Sequence, residues 1–272
     1  MGEEPKSIIN TLNEAIESLK AGDKKKARKL LSEVFNSNIA GDYRRLVFSL
    51  GFLVDSYDCA YCSDVESNAE EVNELSKKLF GEECVNKDNL VIKGSDKLNK
   101  DELLKCMVKV RNWFSEYLRE DGGCIYDARA PREFIDACKI TAGKIGRFSI
   151  SPGFYVFAGK DDVGVHRSGV KLVGEITKEG NDFYIHVSSI DEDVMSFTDL
   201  NKYFGLPVSD CRMNPREHEL VCKLGSKNAD DVARELTLAA AIHAASIDKE
   251  YPRYVNKLEI ERFKELIGGG NA

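Results

Sequence analysis

The hydrophobic pattern of the first half of the chain is helical. Apolar residues recur at intervals of three and four, as on one face of an α-helix, at Ile8, Ile9, Leu12, Ala15, Ile16 and Leu19. The same spacing predicts helices over residues 24–35, 43–54, 68–80, 101–119 and 131–144. Asp23 is a favourable residue to begin the second of these helices. The pattern therefore predicts a mainly helical domain over residues 1–145.

Near residue 147 the helical spacing gives way to alternation of apolar and polar residues, which is typical of half-buried strands. The alternation predicts strands over 148–150, 154–158, 170–176, 183–188 and 219–224, with a helix over 197–204. An alanine-rich helix is expected over 229–247 and a last one over 256–267; residues 90–92 form a further candidate strand. This order predicts an α+β fold: a helical N-terminal half followed by an antiparallel β-meander packed with C-terminal helices.

The second half is therefore expected to form an α+β domain with an antiparallel sheet over residues 146–272. Its element order over 131–247 is similar, at the level of the fold only, to small chaperone-type α+β domains. Alternation places Val156 on one face of the sheet and Tyr155 and Phe157 on the other, so both faces carry apolar groups. We expect the second face to be covered either by the alanine-rich helix or by another chain.

Composition narrows the class of protein. The chain has 272 residues, 42% of them hydrophobic, and a net charge of −7, which is typical of a soluble globular protein. No apolar run is long enough to cross a membrane, and the first residues show no secretory signal, so we expect a cytoplasmic protein that does not bind membranes. The chain contains no glutamine, as expected for a thermophilic source, but asparagine is not depleted, so the source stays open.

The eight cysteines allow three interpretations. In an ordinary cytosolic protein they would be reduced thiols, whereas in a hyperthermophile some would form disulfides. Cys59 and Cys62 have the Cys-x-x-Cys spacing that holds one metal ion, with Cys84 as the nearest third ligand, so zinc is the one cofactor considered. No second Cys-x-x-Cys or paired-histidine motif completes such a site. We therefore expect that the protein binds no cofactor, with zinc as the alternative.

Two histidines are candidates for catalysis. His166 and His186 lie on neighbouring segments of the expected meander and could approach each other with nearby carboxylates, including Asp191. Such a cluster would bind a metal ion or act as acid and base. The chain lacks a P-loop, a strand-to-helix Gly-x-Gly-x-x-Gly motif and a Gly-x-Ser-x-Gly nucleophile motif.

Two groups of basic residues are candidates for binding an anion or a partner. The first lies on the second expected helix and contains Lys24, Lys25, Lys26 and Arg28. The second surrounds the helix at 131–144 and contains Arg129, Arg132, Lys144 and Arg147. Each group could instead be the solvated face of a helix.

These features favour a non-enzymatic protein: an adaptor, a chaperone-like protein or a regulatory subunit that binds a protein partner or another copy of itself. The first alternative is a metal-dependent hydrolase or nuclease that uses His166, His186 and nearby carboxylates. The second is a zinc- or disulfide-stabilised module whose basic patch binds nucleic acid, a partner that the acidic net charge does not favour.

Overall fold

The computed structural model of the chain describes residues 2–58, 64–86, 98–148, 153–167, 172–188, 197–199, 201–202, 208–214, 216 and 218–247. Within these ranges the side chains of residues 64, 147–148 and 244–247 are not described. The chain divides into two compact units, unit 1 over Met1–Arg119 and unit 2 over Glu120–Ala272. The expected α+β class, with helices first and an antiparallel sheet afterwards, is confirmed.

The described residues of unit 1 form five helices. They are α1 (Lys6–Lys20), α2 (Lys24–Phe35), α3 (Gly41–Ser56), α4 (Asp64–Phe80) and α5 (Lys100–Tyr117). Each of the first three packs on the next along the chain, and α5 packs on α1 and α3. The Asp23 side chain accepts a hydrogen bond from the Lys26 backbone N–H at 2.9 Å, so it caps α2 as expected.

The core of unit 1 is built from the apolar stripes of these helices and from aromatic rings. Leu12, Leu31 and Leu50 are completely buried. The ring of Phe80 stacks on Trp113 at 4.5 Å between centroids, and Tyr43 meets Phe80 edge-on at 5.9 Å. A disulfide between Cys84 and Cys106 fastens the segment after α4 to α5.

Unit 2 contains an eight-stranded sheet. Its strands are β1 (Leu118–Asp121), β2 (Cys124–Asp127), β3 (Phe154–Ala158), β4 (Asp162–Arg167), β5 (Leu172–Glu179), β6 (Asp182–Ser188), β7 (Val208–Asn214) and β8 (Glu219–Leu224). Their spatial order is β1-β2-β3-β4-β5-β6-β8-β7. The β2–β3 pair is parallel, and the pairs from β3 to β7 are antiparallel. The division between the two units falls within β1.

In the part of the chain that the structure describes, two long helices cover one face of this sheet. Helix α6 (Arg132–Phe148) packs on β2, β3 and β4, and helix α7 (Ala229–Ile247) packs on α6, β4 and β5. The residues beneath them alternate along the strands, as Val156, Val165, Ile176, Ile185 and Cys222. The expected alanine-rich helix therefore lies on the Val156 face, whereas Tyr155 and Phe157 are buried on the opposite face.

Four of the observed strands are not predicted by the sequence pattern. The pattern treats β1 and β2 as the end of a helix and a turn, β4 as a turn, and β7 as a loop. In addition, Phe148 is expected to begin a strand, but it is the last residue of α6. This helix begins at Arg132, before the expected domain boundary at residue 145, and ends after it. Since α6 packs on the sheet, it belongs to unit 2, and the division lies at Arg119–Glu120.

Some expectations fall outside the described part of the chain. These are the strand at 90–92, the helix at 256–267, and residues 149–150 of the first expected strand. Of the expected helix at 197–204, residues 197–199 and 201–202 are described and are helical. No helix within the described ranges is long and apolar enough to span a membrane.

Candidate functional site

A groove lies on the face of the sheet opposite α6 and α7. It has a volume of about 590 Å³ and is lined by residues of β5, β6, β7 and β8: Leu172, Glu175, His186, Arg212, Met213, Asn214, Glu219 and Val221. Volumes of this order are typical of small-molecule sites. The lining combines apolar side chains with a cation, two carboxyl groups and an imidazole. We call this feature the sheet groove.

His186 makes two side-chain hydrogen bonds at the sheet groove. Its Nδ1 lies 3.2 Å from Glu219 Oε2, and its Nε2 lies 3.0 Å from Thr177 Oγ1. The side chains of His186 and Glu219 are only 18% and 13% exposed, so both are held largely out of water. A hydroxyl, an imidazole and a carboxyl group are thus joined in a line across three strands.

Strand register explains this arrangement. His186 on β6 is paired with Glu175 on β5 and with Val221 on β8. Thr177 and Glu219 each lie two residues along their strands from those partners. Residues two apart on a strand point to the same side of the sheet, so all three side chains share one face.

His166, the other histidine candidate, lies two strands away from His186. It is on β4, with β5 between the two strands, a separation of about 10 Å between backbones. Its ring is buried and stacks on Tyr155 at 5.3 Å. The structure therefore brings His186 to Glu219 and Thr177 rather than to His166, and Asp191 lies outside the described residues.

The cysteines of the metal hypothesis are divided between described and undescribed parts of the chain. Cys84, the proposed third zinc ligand, is bonded to Cys106, so it has no thiolate to offer a metal in this state. Cys59 and Cys62 lie outside the described residues. Within the described ranges, no group of three or more His, Cys, Asp or Glu residues is placed to hold a metal ion.

Most of the first basic group is paired with acids. Lys24 pairs with Asp58, Lys26 with Glu14 at 2.8 Å, and Arg28 with Asp55 at 2.8 Å. The hydrogen bond and charge of Glu14 raise the pKa of Lys26. Lys25 is exposed and has no ion pair among the described residues. The expected basic patch on α2 is therefore largely neutralised by neighbouring helices.

The second basic group also has structural partners. Arg129 makes three hydrogen bonds to Asp127, whose carboxylate is fully buried, and so compensates that charge. Arg132 pairs with Asp136 at 3.4 Å. Lys144 lies near Arg234 of α7, and burial followed by that like charge lowers its pKa. The side chain of Arg147 is not described.

Unit 1 carries a second candidate site, an exposed cluster of aromatic rings on α2 and α3. Phe48 meets Phe52 edge-on at 4.7 Å between centroids, and Phe35 lies 5.2 Å from Phe48. The guanidinium of Arg44 lies 4.2 Å from the ring centre of Phe35, and that of Arg28 lies 5.4 Å from Phe52. We call Phe35, Phe48, Phe52, Arg28 and Arg44 the aromatic patch.

A glycine in the middle of α3 makes room for part of the aromatic patch. A methyl group at Gly51 would lie 2.3 Å from Arg28 Nη1, closer than any real contact. Glycine inside a helix costs about 1 kcal/mol relative to alanine, so a packing reason is expected. Here Gly51 lets the Arg28 guanidinium lie flat against α3, where it also reaches Asp55.

Both sites contain residues that the sequence did not single out. Thr177, Glu219 and Arg212 become neighbours only through the β5–β6–β8–β7 strand order, and no local motif carries that order. Phe48 and Phe52 were interpreted as part of an apolar helix, because nothing in the pattern of α3 distinguishes a buried ring from an exposed one.

Comparisons with known proteins found no matching family model, no matching curated protein and no matching solved structure.

Proposed function

We propose that the protein is an adaptor that binds an acidic amphipathic helix of a partner protein on the aromatic patch. One observation carries the proposal. Among the described residues three large hydrophobic side chains are exposed, and two of them, Phe48 and Phe52, touch each other on α3. Their exposed fractions are 40% and 39%. Contiguous exposed apolar surface of this kind marks interaction sites more often than isolated apolar residues do.

The spacing of the patch favours a helix as the occupant. Arg44, Phe48 and Phe52 are four residues apart in turn, so they form a ridge along one face of α3. Ridges of this kind pack into the grooves of a second helix, and an apolar helix face supplies matching side chains every three to four residues. An extended peptide would match this spacing poorly.

The charge of the patch favours acidic residues on that helix. Arg44 is half-buried, stacks on Phe35 and has no carboxylate partner among the described residues. Lys25 on α2 is exposed and also has no ion pair in the described part of the chain. Carboxylates beside the apolar residues of the partner would meet these cations, and so would steer the encounter as well as fix the orientation.

The test measures binding of designed peptides to the full chain by fluorescence anisotropy. One peptide is an amphipathic helix with leucine on one face and glutamate beside it, and its matched control replaces every glutamate by lysine. We expect the acidic peptide to bind and the basic peptide not to bind. The double variant Phe48→Ala/Phe52→Ala should weaken binding roughly tenfold or more, because each ring buries its exposed part at about 1 kcal/mol.

Two controls make the result decisive. Met213→Ala removes the third exposed large hydrophobic residue, which lies on unit 2, and should leave peptide binding unchanged. Equal binding of the acidic and basic peptides, or no effect of the phenylalanine variants, would contradict the proposal. Self-association that is lost on Phe48→Ala would also contradict it, since the occupant would then be a second copy of this chain.

A further inference from the structure

We propose that the Cys211–Cys222 disulfide is a thiol-exchange site, at which a low-molecular-weight thiol attacks Cys211 and frees the strand β7 from β8. The disulfide then carries a reaction of its own, beyond the stabilising effect of a cross-link. The site lies on unit 2, and its reaction is independent of the helix binding proposed for unit 1.

Exposure to solvent distinguishes this disulfide from the other two that the structure describes. In each of those, both cysteines are at most 4% exposed: Cys84 with Cys106, and Cys124 with Cys138. Cys211 is exposed, whereas its partner Cys222 is completely buried. Thiol–disulfide exchange begins when a thiolate reaches one of the two sulfur atoms, so access limits the reaction. Among the described cysteines, a thiol from solvent therefore meets Cys211 first.

The disulfide lies where the regular pairing of β7 with β8 is interrupted. The register shifts between Ser209 and Arg212, so that Asp210 and Cys211 both lie opposite the single residue Cys222. An extra residue of this kind is a β-bulge, which locally disrupts the ladder of backbone hydrogen bonds. Asp210 has a φ of 50°, a left-handed conformation that some bulges contain. The disulfide therefore joins the two strands at the point where regular hydrogen bonding between them is lost.

Without its disulfide, β7 is held only weakly on the sheet. It is the last strand in the spatial order, so among the described strands it pairs with β8 alone. Val208 and Asn214 at its two ends are half-buried, and the five residues between them are exposed. Segments with little buried surface open locally at a low cost in free energy. We therefore expect β7 to separate from β8 once the disulfide is broken, while the rest of the sheet stays folded.

The same strand forms one side of the sheet groove. Arg212, Met213 and Asn214 follow Cys211 directly along β7, and all three line the groove. The other lining residues belong to β5, β6 and β8, which pair with one another within the sheet. Separation of β7 removes one wall of the groove together with the guanidinium of Arg212. The redox state of this one disulfide therefore controls the width and the charge of the groove.

The exchange has two balanced steps. The sulfur of the attacking thiolate bonds to Cys211 Sγ while the bond between the two Sγ atoms breaks. The electron pair of that bond leaves with Cys222 Sγ, which takes up a proton. A second thiolate then bonds to the sulfur of the first thiol, and Cys211 Sγ leaves and takes up a proton. One protein disulfide and two small thiols thus yield two protein thiols and one small disulfide, so the protein is reduced and the small thiol is oxidised.

The test follows reduction of the full chain by reduced glutathione under native conditions. Free thiols are first blocked with N-ethylmaleimide; after removal of glutathione, newly formed thiols are alkylated with iodoacetamide in denaturant and located by mass spectrometry. We expect Cys211 and Cys222 to become alkylated roughly tenfold faster or more than the cysteines of the other two disulfides, because their disulfide is accessible in the folded protein. The glutathione mixed disulfide should appear on Cys211. In concentrated urea all three disulfides should react at similar rates, because unfolding exposes every sulfur.

Amide hydrogen exchange measures the effect on the strand. After glutathione treatment the amides of β7 should exchange roughly tenfold faster or more, whereas those of β6 should keep their rates. The double variant Cys211→Ser/Cys222→Ser should show the fast exchange of β7 without glutathione. Peptide binding by the aromatic patch should be the same before and after treatment, so each proposal can fail alone.

Three outcomes would overturn the inference. The first is reduction of Cys84–Cys106 or Cys124–Cys138 as fast as that of Cys211–Cys222 in the folded protein. The second is a mixed disulfide on Cys222 instead of Cys211. The third is exchange of the β7 amides that stays unchanged after the disulfide is reduced.

Discussion

The carboxyl group of Glu235 on α7 is completely buried, and neither of its oxygens has a hydrogen-bond partner among the described residues. Burial raises the pKa of Glu235 to about 8, and this effect outweighs the lowering effects of Asn201 and Arg234. Asn201 is also buried; its Nδ2 donates to the Phe197 carbonyl at 3.0 Å, while its Oδ1 lacks a donor in the described part of the chain. A protonated Glu235 can supply that donor, so the neutral acid fits this site better than the carboxylate.

This pKa makes stability depend on pH. In the unfolded chain Glu235 loses its proton near pH 4.5, whereas the folded protein retains it to about pH 8. Between these two pH values the folded state binds one more proton than the unfolded state. The free energy of unfolding should therefore fall by about 1.4 kcal/mol for each unit by which the pH rises. Glu235→Gln keeps an uncharged donor and should remove that slope, as measured by urea unfolding at several pH values. Glu179→Gln, an exposed acid at the end of β5, should retain the slope; a slope that survives Glu235→Gln would contradict the assignment.

At the scale of elements, the sequence predicts strands best where apolar residues recur along the element. The strand at 183–188 alternates between buried and half-buried residues, whereas those at 154–158 and 219–224 are buried over most of their length. All three are confirmed, with bounds that agree to within a residue. β7 shows no alternation because it is an edge strand with a mostly exposed burial pattern, fixed by pairing with β8 and by the Cys211–Cys222 disulfide. β2 has only four residues, all buried, which is too short for any period to be visible.

The sequence could predict site residues from their residue type and local pattern, but not their partners on distant segments. His186 was identified by its residue type and strand position, but its partners Thr177 and Glu219 depend on pairings between distant segments. The basic residues of α2 were identified by charge alone, and the pattern contains no information on the acids of other helices that neutralise them.

The alanine-rich helix lies so close to the sheet that one glycine is required beneath it. A methyl group at Gly174 of β5 would lie 2.7 Å from the Cβ of Ala239 on α7. Neither atom can move aside without shifting the helix or the strand, so Gly174→Ala should destabilise the protein by about 1–3 kcal/mol. The matched change Gly143→Ala lies on an exposed face of α6 with no atom near, and should stabilise by up to about 1 kcal/mol. Thermal and urea unfolding measure both, and equal effects would refute the close contact.

At the scale of the whole molecule, the disulfides indicate the redox conditions under which the protein folds. Cys84–Cys106 lies in unit 1, whereas Cys124–Cys138 and Cys211–Cys222 lie in unit 2. Each closes a loop of 11 to 22 residues, and such loops typically contribute about 2–4 kcal/mol. Disulfides in this number are typical of oxidising compartments and also of hyperthermophile interiors, so the expected cytoplasmic location stays a prediction.

A count of thiols tests this assignment and the zinc hypothesis together. Eight cysteines less the six that are paired leave Cys59 and Cys62, so unreduced protein alkylated in denaturant should gain at most two alkyl groups. Two groups with one equivalent of released zinc would support a metal at Cys59 and Cys62, two groups without zinc would indicate free thiols, and none would indicate a fourth disulfide. Reduction should then lower the melting temperature, because every cross-link that limits the unfolded chain is lost. Eight reactive thiols before reduction would instead show that the protein folds with its cysteines unpaired.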